Sequence, residues 1–186
     1  QIMHWNMACL ASAMIPLLEL QYDEKKAQDK LRAALEEFPV IYAQTWQSLF
    51  RKKLGLAAER DEDIALIERL LQAMHDSRID FTSFFRTLSL IKADAPIEKI
   101  SLRDDFVDRD AIDKWFADYV TRLQSEANND LERQIAMNQV NPKYVLRNHL
   151  AQQAIERAQA KDFSEVSKLL QILTKPFDEQ PENESY

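Results

Sequence analysis

A single glycine, Gly55, in 186 residues is the feature that most limits what this chain can fold into. Ordinary usage of about 7% would supply roughly a dozen. Tight hairpin turns need positive φ at their central residues and draw on glycine to reach it, so a β-rich fold would lack its corners. Phosphate-cradling loops also need several glycines, because backbone N–H groups must approach the anion closely. The chain therefore carries no P-loop, no dinucleotide-binding turn and no glycine-rich kinase loop. The expected class is all-α, a multi-helix bundle.

A chain this long can bury roughly 70% of the surface its unfolded form exposes, enough for one domain without staples. We place that helical domain at residues 1–177, with an acidic, proline-containing tail at 178–186 that is expected to be mobile. The net charge of −7 disfavours a nucleic-acid partner, since that affinity needs a basic surface. No segment reads as a membrane span. The apolar opening stretch, residues 2–18, lacks a basic n-region and is interrupted by Asn6 and Ser12, so it reads as a helix and not a secretion signal. Cys9, the only cysteine, excludes an intrachain disulfide or a cysteine zinc site and points to a reducing, cytoplasmic setting.

Helical spacing recurs along the chain. Ile2, Trp5, Cys9, Leu10, Ala13, Met14 and Leu17 predict the inner face of a first helix, with Pro16 kinking or ending its first part. Asp23 caps a second, carrying Ala27, Leu31, Ala34, Leu35 and Phe38 inward until Pro39 interrupts it. Ile41, Trp46, Leu49 and Phe50 continue to Leu54, where Gly55 takes the C′ position. Ile64, Ile67, Leu70, Leu71 and Met74 predict another helix ending near Ser77, and Phe81, Phe84, Phe85 and Leu88 a short one. Residues 92–109 read as a long loop. Asp108 then starts a helix bearing Ile112, Trp115, Phe116, Tyr119, Val120 and Leu123, followed past Asn128 and Asn129 by one with Leu131, Ile135 and Met137. Asn141 and Pro142 predict the start of a helix bearing Tyr144, Val145, Leu150, Ala154, Ile155 and Ala158. Asp162 to Glu165 predicts a capping box before Val166, Leu169, Leu170 and Leu173.

Candidate chemistry is sparse. His4, His75 and His149 show no metal-ligand spacing and read as partly exposed helix residues. Asp61, Glu62 and Asp63 read as a solvated helix start favoured by the macrodipole, and so do the acids of 103–110. Cys9 reads as an inert packing residue. The densest polar stripe is Asn141 to Asn148, where Lys143 and Arg147, and likewise Tyr144 and Asn148, stand one helical turn apart. Lys143, Tyr144, Arg147 and Asn148 are the candidate residues for bracing a neighbouring lobe or meeting a partner.

That stripe, continuing through His149-Leu150-Ala151-Gln152-Gln153-Ala154-Ile155, closely resembles the SelO (YdiU) family of pseudokinase-like protein adenylyltransferases. Asp162 to Glu165 and the later Pro176-Phe177-Asp178 fit the same family's ending in the same order. Trp5-Asn6, Leu10-Ala11 and Pro16-Leu17 resemble the family helix that follows its metal-binding loop, and Asp80-Phe81-Thr82 with Phe85-Arg86 fits its middle. The resemblance implies that the chain is the helical C-terminal part of a kinase-like fold. The implied parent moves AMP from ATP to Ser, Thr or Tyr hydroxyls of proteins, with Mg²⁺ or Mn²⁺ as cofactor. By the same resemblance the ATP and metal residues precede the position of Gln1, and a redox-active C-terminal cysteine or selenocysteine lies past Tyr186. No catalytic, cofactor or metal residue is therefore assigned in this chain, and the fragment is expected to be inert alone. Its expected partners are the N-terminal kinase-like region and the parent's protein substrates. The competing expectation is an independent helical protein-interaction module.

Overall fold

The computed structural model describes residues 2–126 and 129–186; Gln1 and Asn128 lie outside them. The described residues form eight α-helices, three short 3-10 helices and no strand. The all-α expectation holds. None of these helices is long and apolar enough to cross a membrane. The chain resolves into two compact units, Gln1–Leu49 and Phe50–Tyr186.

The first unit holds α1 (Ile2–Leu18) and most of α2 (Glu24–Leu54). Asp23 caps α2 as expected, its carboxylate accepting the Lys26 N–H at 2.8 Å. The chain doubles back, so that the His4 and Phe38 rings lie 6.0 Å apart, with Tyr42 5.9 Å further along. Pro39 does not interrupt α2, contrary to expectation. It removes one N–H from a 31-residue helix, and the helix formers around it, Ala33 to Glu37, carry the ladder past the gap. Pro16 likewise lies inside α1, two residues from its end.

The inner face expected for α1 is also corrected. Met7, Ala8, Ala11, Ile15 and Leu18 are the partly buried set, while Ile2, Trp5, Leu10, Met14 and Leu17 are exposed, Trp5 by 67%. Cys9 is exposed too. With no charged residue between Ile2 and Leu18, spacing could not single out one side. On α2, Ala34, Ile41 and Leu49 are exposed.

The second unit is built on α3 (Glu62–Ser77) packed against α5 (Arg109–Gln124). Ile67, Leu70 and Met74 meet Ile112, Trp115, Phe116, Tyr119 and Leu123 as buried residues. Trp115 and Tyr119 stack with centroids 5.0 Å apart, and each finds a carbonyl for its polar end, Leu66 at 2.8 Å and Leu54 at 2.9 Å. Burial pushes the Tyr119 phenol far above its ordinary range. Gly55 adopts φ +72° at the end of α2, with Leu56 N–H on Arg51 O and Gly55 N–H on Lys52 O, the paired closure of a glycine C-cap. α3 ends without a glycine, and Arg78 takes the left-handed conformation instead.

Helix α4 (Phe81–Leu88) buries Phe84, Phe85 and Leu88, whereas Phe81 is exposed. The expected long loop contains 3-10 turns at Ile97–Lys99 and Ser101–Asp105. Helix α6 (Asp130–Val140) corrects another inner face: Arg133 and Met137 are buried while Leu131 and Ile135 are exposed. Helices α7 (Asn148–Gln159) and α8 (Ser164–Leu173) form a hairpin. α8 buries Glu165, Leu169 and Ile172 and exposes Val166 and Leu170; Ile155 on α7 is exposed as well. No capping box forms. Asp162 accepts the Ser164 N–H, and Glu165 pairs with Arg157 at 3.0 Å.

Candidate functional site

The stripe singled out in the sequence is not helical over Asn141 to Arg147; α7 begins at Asn148. Asn141 is drawn inward instead of capping a helix. Its amide donates to Lys53 O at 3.0 Å and its oxygen accepts from Lys53 Nζ at 3.1 Å. Two buried-side partners are worth more than a cap, because leaving that amide unpaired in the interior would cost about 1–3 kcal/mol. The Lys53 ammonium lies 5.5 Å from both the Phe81 and Phe85 ring centroids, and burial holds its pKa below the ordinary lysine value. The next N–H groups, of Lys143 and Tyr144, both donate to Pro176 O at 2.8 and 3.1 Å. That shared carbonyl keeps the segment extended.

Each of the candidate side chains has its own position. Lys143 Nζ donates to Glu179 at 2.5 Å and to Glu184 at 2.6 Å, and these bonds raise its pKa well above the ordinary range. Tyr144 is buried with its hydroxyl on Gln180 O at 2.9 Å. Arg147 forks onto Asp80 at 2.5 and 3.2 Å and reaches Ser83 at 3.3 Å. Asp80 in turn caps α4 through the Ser83 N–H at 2.7 Å, and the Arg147 hydrogen bond holds its carboxyl far below the usual carboxylate range. Asn148 is exposed in the first turn of α7. Lys143, Tyr144 and Arg147 thus share one polar hub, and Asn148 stands beside it.

Arg86 completes the hub. Its guanidinium donates to Asn138 O and Asn141 O at 3.2 and 3.0 Å, to Phe177 O at 3.3 Å, and to Glu179 at 2.6 Å. Lys143 first and Arg86 second hold Glu179 below its ordinary pKa. The tail read as free from sequence is consequently tied down, and Pro181–Asn183 forms a 3-10 turn with Asn183 buried. Chemically, every cation of this hub already has a carboxylate or carbonyl partner, so the arrangement fits together chain segments better than it would receive a phosphate.

A second polar centre lies between α3 and α5. Asp63 is fully buried, not solvated as expected, with Arg122 Nε at 2.7 Å and the Arg60 N–H at 3.0 Å. Arg122 also bonds Glu126 at 2.5 Å and Ala58 O at 2.7 Å. Asp63 stands four residues before Ile67 and seven before Leu70, in phase with the buried face, and Arg122 follows Tyr119 by three. That phase was the available signal for both. His4, His75 and His149 are exposed, and among the described residues no three His, Cys, Asp or Glu side chains are grouped as a metal ion would need.

The chain's similarities to known proteins are specific. The profile of the family described as Protein adenylyltransferase SelO matches residues 1–174. A protein nucleotidyltransferase YdiU of Burkholderia multivorans is 49% identical across the whole chain. Those of Burkholderia orbicola and Burkholderia vietnamiensis are 48% and 47% identical over the same span. The chain spans only 37% of the length of these relatives.

Proposed function

The chain belongs to the SelO family of protein adenylyltransferases, and from that premise we propose that it is the helical C-terminal region of an enzyme that moves AMP from ATP to Ser, Thr or Tyr hydroxyls of proteins. In this reading ATP and its Mg²⁺ or Mn²⁺ are held by the remaining, kinase-like part. The helical region supplies a packed support for that part and a surface along which the protein substrate is positioned. AMP transfer rests on neutralising phosphate charge with lysine, arginine and metal-bound carboxylates. The cations of the hub described above are committed to other partners.

The observation that carries the proposal is α1. It runs 17 residues without a charge and leaves Ile2, Trp5, Leu10 and Leu17 exposed. A helix apolar on all sides belongs in the interior of something larger, and each such side chain gains about 1.5–3 kcal/mol on full burial. We take the rest of the full-length protein as what covers it. The test is a full-length protein carrying Trp5→Glu and Leu17→Glu. The proposal expects a lower thermal midpoint and AMP transfer reduced at least tenfold. Unchanged stability and unchanged transfer would refute it and would favour a self-contained interaction module.

A further inference from the structure

The α7–α8 hairpin has a small core of its own. Leu150, Ala154 and Leu169 form one buried cluster, with Leu173 and Tyr186 packed against it. Every member comes from residues 150–186. The hairpin is therefore held together from within, and what holds it to the preceding chain is a different set of contacts.

Those contacts converge on a short strap, residues 176–184. On the body side stand Arg86, Lys143 and Tyr144. On the strap side stand Pro176 O, Phe177 O, Glu179, Gln180 O and Glu184. Three of the links are ion pairs: Arg86 with Glu179 at 2.6 Å, and Lys143 with Glu179 and Glu184 at 2.5 and 2.6 Å. The others are the two N–H bonds onto Pro176 O, the Tyr144 hydroxyl on Gln180 O, and Arg86 on Phe177 O. The glutamates are 61% exposed, so solvent and salt reach the pairs. Among apolar residues of the hairpin, Ile172 is buried outside the small cluster, and on the body side Tyr144 is buried with its hydroxyl on the strap.

We propose that the strap is an electrostatic latch, and that residues 148–186 detach and re-dock as one unit about the Arg147–Asn148 junction, with ionic strength setting the balance. The junction itself stays fixed, because Arg147 remains forked onto Asp80. Detachment leaves the small cluster intact and breaks the three ion pairs together, since Glu179 serves both cations. Exposed pairs shift an equilibrium by roughly 1.5- to 5-fold each. Raising salt from 0.05 to 1 M shortens the screening length from above 10 Å to about 3 Å. Loss of most of this attraction should therefore raise the open fraction about tenfold.

Hydrogen exchange read by mass spectrometry on the full-length protein tests this. Amides of α7 and α8 should speed up together by about tenfold between 0.05 and 1 M NaCl, while those of α3 and α5 change less than twofold. Lys143→Met should bring the fast exchange to low salt and flatten its salt response. Glu184→Gln, at an exposed position that folding tolerates, should flatten the response in part. The latch is overturned if α7 and α8 exchange no faster than α3 and α5. It is equally overturned if their exchange ignores salt, or if both variants keep the full salt response.

Discussion

Replacing the lone glycine with alanine should be among the most damaging single-methyl additions this chain can suffer. Gly55 sits at φ +72°, where an L-residue with a Cβ is disfavoured by about 1–2 kcal/mol. The added carbon would also lie 2.6 Å from Arg133 Cγ, 2.8 Å from Arg133 Cδ and 2.8 Å from Met137 Sδ, all inside van der Waals contact. Arg133 cannot swing aside freely. It is buried, paired with Asp130 and donating to Ile91 O. Overpacking of this kind costs about 1–3 kcal/mol, so the sum for Gly55→Ala is about 2–5 kcal/mol. In a protein of this size that lowers the thermal midpoint by roughly 4–20 °C. Urea unfolding of Gly55→Ala, in the native background and in Arg133→Ala, separates the two contributions. In the second background the loss should shrink to the conformational part and the remaining contact with Met137 Sδ. A loss under about 0.5 kcal/mol in the native background, below either estimate, would refute the reasoning. Equal losses in both backgrounds would show that Arg133 is not the obstacle.

Asp63→Ala should destabilise by about 1–3 kcal/mol in urea unfolding, because it leaves Arg122 Nε and the Arg60 N–H without an acceptor while Glu126 still pairs the guanidinium, and Asp63→Asn should cost less by keeping an acceptor. The Asp80–Arg147 fork carries a pH signature. The folded pKa of Asp80 lies below its unfolded value of about 3.9, so its contribution is whole above about pH 4 and fades as pH falls toward the folded pKa. Arg147→Gln should therefore lose less stability than the native chain between pH 5 and 2.5. Pro39→Ala, at an exposed interior position of α2, should raise the midpoint of helix melting by circular dichroism, since proline there is less favourable than alanine by about 3 kcal/mol; a fall would mean the ring has a packing role.

Much of the helix layout was legible in the sequence because caps and apolar spacing are local signals. Asp23, Asp80 and Asp108 each accept an N–H where the spacing predicts a helix start, and Gly55 closes α2 where a lone glycine belongs. Inner faces were legible where one side alone is apolar, as on α3 and α5. They failed where apolar residues surround the axis, as on α1, and where an arginine is buried in place of aliphatic neighbours, as on α6. The stripe at Asn141 to Arg147 reads as polar and dense, but its partners, Pro176, Glu179 and Asp80, lie 32 to 67 residues away by numbering. Nothing local in the stripe says that these carbonyls and carboxylates will displace the helix. The buried pair Asp63–Arg122 was missed for the opposite reason: its charge masked a phase that already matched the core.

The most direct test of the functional account is calorimetric titration of Mg-ATP into this chain alone and into the full-length protein. The account predicts no heat of binding for the chain by itself and saturable binding for the full-length protein. Micromolar binding by the isolated chain would contradict it.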